Sequence, residues 1–107
     1  MPKYLIMSSF TAEGVRGTLN EGGTARREAI RRATEGLGGK LEAFYYALGE
    51  HDVFTIADMP DNVTAAAASM AVGAAGVARN TTVALITPEE LDEASSKNVQ
   101  AYVPPRT

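Results

Sequence analysis

The chain has 107 residues, 45% of them apolar, with a net charge of −3, one histidine and no cysteine. That length bounds it to one domain with a real core, and the apolar share excludes wholesale disorder. The missing cysteines exclude a disulfide framework, a thiolate nucleophile and any Cys-based metal site, and with a lone histidine a His-rich zinc centre would need donors from another subunit or several carboxylates.

Lys3 to Phe10 is short, apolar and β-rich, the pattern of a first strand. Thr11 to Gly23 is a connection dotted with Gly14, Gly17, Gly22 and Gly23, expected to hold one helical turn. Thr24 opens a helix to about Leu37, with Ala25, Ala29, Ile30, Ala33 and Leu37 on one stripe. Arg26, Arg27, Arg31 and Arg32 fall around the remainder with Glu28 and Glu35. The charge pattern predicts a solvated face, with Glu28 paired to Arg32 four residues on. Gly38-Gly39 ends this helix.

Lys40 to Leu48 reads as the second strand. Strict alternation puts Leu41, Ala43, Tyr45 and Ala47 on one face and Glu42, Phe44, Tyr46 and Leu48 on the other. Gly49 to Asp52 makes a hairpin, and Val53 to Met59 is the third strand. Pro60 stops it, and Asp61 caps an alanine-rich helix over 62–75 whose predicted apolar stripe is Val63, Ala67, Met70, Ala74 and Val77. Gly76 closes that helix, and Arg79 to Ile86 is the fourth strand. Thr87-Pro88-Glu89-Glu90 carries a capping box for a last helix to Ser95. Residues 1–95 form the predicted domain and 96–107 a C-terminal tail.

The order β-α-β-β-α-β closes most simply as an α+β, ferredoxin-like fold: a four-stranded antiparallel sheet with both main helices on one face. The other sheet face is too apolar to stay wet, which predicts a homodimer or higher oligomer through face-to-face sheets, a dimeric α+β barrel. The short N-terminal apolar run suits neither a signal peptide nor a span, so the expected location is cytoplasmic, without membrane. Residues 1–39 carry six Lys/Arg against four Glu, and 40–107 four against nine acidic residues. The acidic balance argues against nucleic acid as a partner.

The run Phe44-Tyr45-Tyr46-Ala47-Leu48-Gly49-Glu50-His51-Asp52, followed by Pro60-Asp61 and the alanine-rich helix, resembles the GYD domain family. Lys3-Tyr4, Thr11, Gly14, Arg26, Leu37-Gly38-Gly39-Lys40 and Arg79-Asn80-Thr81-Thr82 add to the resemblance, which covers roughly residues 3–93. Gly49 and Asp52 match the family's Gly-Tyr-Asp pattern, while His51 stands where its tyrosine is expected. The resemblance implies a small bacterial protein related to dimeric α+β barrels, with no settled activity. Related barrels include cofactor-independent monooxygenases, dehydratase-like enzymes and ligand-sensing modules.

His51 and Asp52 are the candidate catalytic residues. An imidazole near neutrality suits a general base and a carboxylate suits its orientation, although neighbours in an extended stretch point opposite ways. The competing role is a turn, with Asp52 bonded to local amides. Thr11, Arg16 and Tyr46 are the candidate ligand-binding residues: Arg16 sits in the glycine-dotted connection, and a tyrosine hydroxyl meets a ligand's polar atom or packs at an interface. No cofactor or metal is expected, since Asp52, Asp58 and Asp61 lack calcium-loop spacing. Three functions remain open: a small-molecule-binding domain, a cofactor-independent enzyme with His51 as base and a tyrosine steadying an oxyanion, or an assembly module without a ligand.

Overall fold

The computed structural model describes residues 1–106. Eight elements follow one another: β1 (Lys3–Phe10), α1 (Ala12–Glu21), α2 (Gly23–Gly36), β2 (Lys40–Tyr46), β3 (Val53–Asp58), α3 (Asn62–Ala75), β4 (Ala78–Leu85) and α4 (Pro88–Ser95). The strands form one sheet in the order β2-β3-β1-β4, every neighbouring pair antiparallel. This is the α+β, ferredoxin-like arrangement, with one more helix than the sequence pattern foretold.

That helix is α1. A glycine-dotted segment has poor intrinsic helicity, and Val15 and Leu19 are exposed on it, so no buried apolar stripe holds it. Its start is anchored instead. The Thr11 side chain caps it by accepting from the Gly14 amide at 3.2 Å and donates to the Gly76 carbonyl at 2.7 Å, while the Thr11 amide donates to the Val77 carbonyl at 3.1 Å. Gly14 lies so close to the α3–β4 junction that a Cβ there would sit 2.0 Å from the Val77 carbonyl oxygen. Tertiary docking therefore overrides local propensity.

Register fixes what each sheet face presents. Tyr4, Ile6, Ser8 and Phe10 of β1, Val53, Thr55 and Ala57 of β3, and Ala78, Asn80 and Thr82 of β4 share the helix side. In β2 strict alternation fails. A bulge between Leu41 and Ala43 makes Glu42 the extra residue, so Leu41 faces the helices together with Phe44 and Tyr46, while Ala43 and Tyr45 face away. The opposite face carries Leu5, Met7, Ala43, Tyr45, Phe54, Ile56, Val83 and Leu85. Tyr45 is 71% exposed there. At one end of this face Lys3 pairs with both Glu42 and Asp58, which raises the Lys3 pKa.

The buried core is small: Tyr4, Leu41, Val53, Ala57, Met59, Ala65 and Ala78, with Thr55 the one buried polar residue among those described. Tyr4, Met59 and Ala65 form its centre, with Ile6 and Ala68 against it, and the Tyr4 hydroxyl donates to Asn62 Oδ1. Of the stripe expected to bury α3, Val63, Ala67, Met70 and Ala74 point outward and only Val77, beyond the helix end, faces in. Val63 is 78% and Met70 73% exposed, and the alanine side of the helix (Ala65, Ala68, Ala71) turns inward with Ser69 and Val72. Alanine lets a helix axis lie close to a sheet, so the thin side wins.

The chain's extents are 56 × 34 × 23 Å and its radius of gyration 17.2 Å. Compact chains of this size fall near 13 Å. The excess comes with α4 and the segment behind it: every residue from Pro88 to Arg106 is exposed. Local chemistry alone forms α4, through the reciprocal Thr87–Glu90 capping box and Pro88 in its first turn.

Candidate functional site

A cavity of about 260 Å³ lies between the helix side of the sheet and helices α1, α2 and α3. It exists because α2 packs over β2 while α3 packs over β4. The central strands β3 and β1 lie between those two tracks, roofed by small side chains. Ile30, Ala33 and Leu37 of α2 and Ala68, Ala71 and Val72 of α3 form its upper walls. Ile6, Phe10, Phe44, Val53 and Ala57 form much of its floor.

The lining surface is mostly apolar, interrupted by hydroxyls such as those of Ser8, Thr18, Thr55 and Thr82 and by three larger polar side chains, Tyr46, Arg26 and Asn80. Tyr46 sits at the α2 end, edge-to-face with Phe44 at 5.3 Å, and its hydroxyl donates to the Gly23 carbonyl at 3.0 Å. Burial pushes its pKa above the ordinary tyrosine value, with the guanidiniums of Arg26 and Arg27 pulling the other way. Gly23 gives this ring room, since a Cβ there would meet Tyr46 Cε2 at 3.0 Å. Arg26 also lines the cavity and, among the described residues, is the only charged side chain to do so. One of its donors reaches Glu21 at 3.3 Å. At the β4 end stands Asn80, whose Oδ1 is buried and has no hydrogen-bond partner among the described residues. Buried carboxamides are nearly always bonded, so this acceptor is notable.

Of the five residues singled out from sequence, Tyr46 lines this cavity and the other four stand outside its lining. Thr11 caps α1 and ties it to the α3–β4 junction. Arg16 is exposed on α1 rather than set in a loop. Asp52 Oδ2 accepts from the Phe10 amide at 2.7 Å, its own amide donates to the Ser8 carbonyl at 2.7 Å, and its carbonyl accepts from the Ala47 amide at 2.8 Å. Those bonds clamp the β2–β3 hairpin to the end of β1. His51 stands on the other side of the sheet, with Nδ1 3.2 Å from Ser9 Oγ and its ring edge-to-face with Phe54 at 5.9 Å. The Asp52 carboxylate thus holds a backbone amide, and no described hydrogen bond joins it to the imidazole.

The remaining arginines form a surface network. Glu28 pairs with Arg27 at 3.0 Å and Arg31 at 3.2 Å rather than with Arg32, and the Arg27 hydrogen bond leads in holding its carboxyl below the usual range. Arg26 escapes that network because it falls in line with Ile30, Ala33 and Leu37, a spacing visible in the sequence. Asn80 was detectable as a polar residue at an inward position, between Ala78 and Thr82. Among the described residues no group of three His, Asp or Glu side chains is placed to hold a metal ion. None of the described helices is long and apolar enough to cross a membrane.

A family model described as GYD domain matches residues 4–95. No curated protein and no solved structure matches the chain.

Proposed function

The chain belongs to the GYD domain family, and on that premise we propose that it is a homo-oligomeric domain that binds a small molecule between its sheet and its helices. The observation that carries this reading is the 260 Å³ cavity, apolar in most of its lining surface, with the guanidinium of Arg26, the unpartnered carboxamide of Asn80, the Tyr46 hydroxyl and a scatter of further Ser, Thr and Tyr hydroxyls as its polar groups. Ligand sites have this make-up: an apolar shell and a few placed polar atoms.

Binding is favoured over catalysis by what lines the space. Among the described residues no histidine, aspartate, glutamate or lysine does so, and the Tyr46 hydroxyl, its pKa raised by burial, is a poor base at neutral pH. The open sheet face supports self-association. It presents Leu5, Met7, Tyr45, Phe54, Ile56 and Val83 together, a patch that a second copy covers by two-fold pairing. His51 and Ser9 then stand at the rim of that seam rather than at the ligand.

Native mass spectrometry of the full chain purified from its own host tests both parts. The expected spectrum shows an even subunit number with a bound small molecule. Ala68→Phe, which fills the cavity from α3, removes the ligand mass and keeps the subunit number. Ile56→Glu, at the centre of the open face, splits the oligomer. Ligand retained in Ala68→Phe would refute the cavity, and an unchanged oligomer in Ile56→Glu would refute the seam.

A further inference from the structure

We infer that the cavity selects a monoanionic, mainly apolar ligand: an aryl or alkyl carboxylate whose acid group meets Arg26 and whose far end carries a hydrogen-bond donor for Asn80. The inference rests on the cavity reading and adds the chemistry of the occupant.

Charge comes first. Among the residues lining the cavity Arg26 alone carries a formal charge, and no acidic side chain opposes it from the walls. Glu21 takes one of its donors at 3.3 Å, but both partners are substantially exposed, 34% and 54%. Such surface pairs are weak. A guanidinium has five N–H donors in a fixed fork, so the others stay available to a carboxylate. A cationic ligand meets the wrong sign here. A neutral one leaves the guanidinium unused.

The second polar contact is set by the sheet. Tyr46, Val53, Ser8 and Asn80 stand opposite one another on successive strands, one rung across the whole sheet. Three inter-strand steps of about 4.8 Å put the backbones at the two ends ~14 Å apart. Tyr46 marks the Arg26 end, because its hydroxyl donates at 3.0 Å to the carbonyl of Gly23, one turn before Arg26 on α2. The unbonded Asn80 Oδ1 marks the other. The van der Waals radii of the two end groups take about 4 Å of that, which leaves a free span on the order of 10 Å. The volume gives the same scale: 260 Å³ lies just below the range usual for drug-sized ligands, so the occupant is a small one. A phenylpropanoate fills that length, with its carboxylate at one end and a para substituent at the other.

Titration calorimetry on the full-length protein with phenylpropanoate, its primary amide and its para-hydroxy derivative tests this. The carboxylate is expected to bind roughly tenfold tighter than the amide, the difference between a charge-assisted and a neutral hydrogen bond. Arg26→Gln should erase that preference, whereas Arg32→Gln, on the same helix and outside the cavity, should preserve it. The para-hydroxy compound should gain several-fold over the parent in the natural protein and nothing in Asn80→Leu. Equal binding of acid and amide, or a preference that survives Arg26→Gln, overturns the anion class and leaves the cavity reading intact. A para-hydroxy gain that survives Asn80→Leu overturns the second contact. Failure of all three compounds to bind, with no ligand mass in the native spectrum, overturns the cavity reading itself.

Discussion

Gly14→Ala is the substitution that most sharply probes how α1 is held. The new Cβ would lie 2.0 Å from the Val77 carbonyl oxygen and 3.1 Å from Phe10 Cδ1. The nearer atom is backbone, so no rotamer change relieves the clash, and the helix must withdraw by roughly 1 Å or more before normal contact returns. Withdrawal stretches the Thr11 amide bond to Val77 and the Thr11 hydroxyl bond to Gly76, now 3.1 Å and 2.7 Å. Overpacking of this kind costs about 1–3 kcal/mol. Helix propensity returns up to ~1 kcal/mol, less this near the N-terminus. Gly17→Ala is the internal control. It lies on the same helix with nothing within 4 Å of its Cβ position, so only the propensity gain applies. Urea unfolding at one fixed protein concentration should put the two variants about 2–3 kcal/mol apart, with Gly14→Ala the less stable. In a thermal melt that gap is on the order of 10 °C for a chain of this size. Equal stability of the two would refute the docking of α1 through Gly14.

Asp52→Ala strands the Phe10 amide and should cost about 1–3 kcal/mol in urea unfolding, whereas His51→Ala should cost far less; equal losses would contradict the clamp assigned to Asp52. Asp61 accepts from the Thr64 hydroxyl at 2.7 Å and the Thr64 amide at 2.8 Å, and these bonds lower its pKa, the hydroxyl first. Its contribution is therefore present above the unfolded value of about 3.9 and lost as pH falls through the lower folded value. An acid titration of stability should lose that limb in Asp61→Asn, and a curve identical to the natural protein's would remove Asp61 from the account. The Tyr46 shift has the opposite sense. Its hydroxyl stays protonated past the ordinary value of about 10, so it adds stability below that pH that fades as pH rises through the folded value. Ultraviolet difference titration should show a late phenolate component that Tyr46→Phe abolishes; its persistence in that variant would place it on another tyrosine.

Local chemistry was legible where it was sufficient. The Thr87–Glu90 box, the Asp61 cap and the left-handed Gly76 at φ 74° are short-range devices whose partners lie within three or four residues, and each element they bound appears near its expected place. The strands themselves follow from alternation, and the β2–β3 pairing from its hairpin spacing, in the same way. Orientation was harder. In α3 the alanines make both sides nearly equal in hydropathy, so periodicity had little contrast to read and chose the outward stripe. In β2 the bulge at Glu42 depends on pairing with β3, which no single strand encodes. The cavity was harder still, since Arg26 and Asn80 lie 54 positions apart in the chain. Each looked ordinary alone: one more arginine on a charged helix, one polar residue on an edge strand.

By itself, then, the order of residues determined the set of strands, the main helices and the caps of α3 and α4, because those depend on interactions a few residues long and on periodicities of two and 3.6; the cap expected at Thr24 fails, since α2 begins at Gly23 behind Gly22, with no side-chain cap. Only the tertiary structure decided that Thr11–Gly23 is helical, that Asp52 serves a backbone amide, and that α2 and α3 stand over opposite edges of the sheet with a cavity between them. Those outcomes turn on how closely distant backbones approach, at Gly14 against Val77 above all, and steric fit between segments more than sixty residues apart is not written in any one of them.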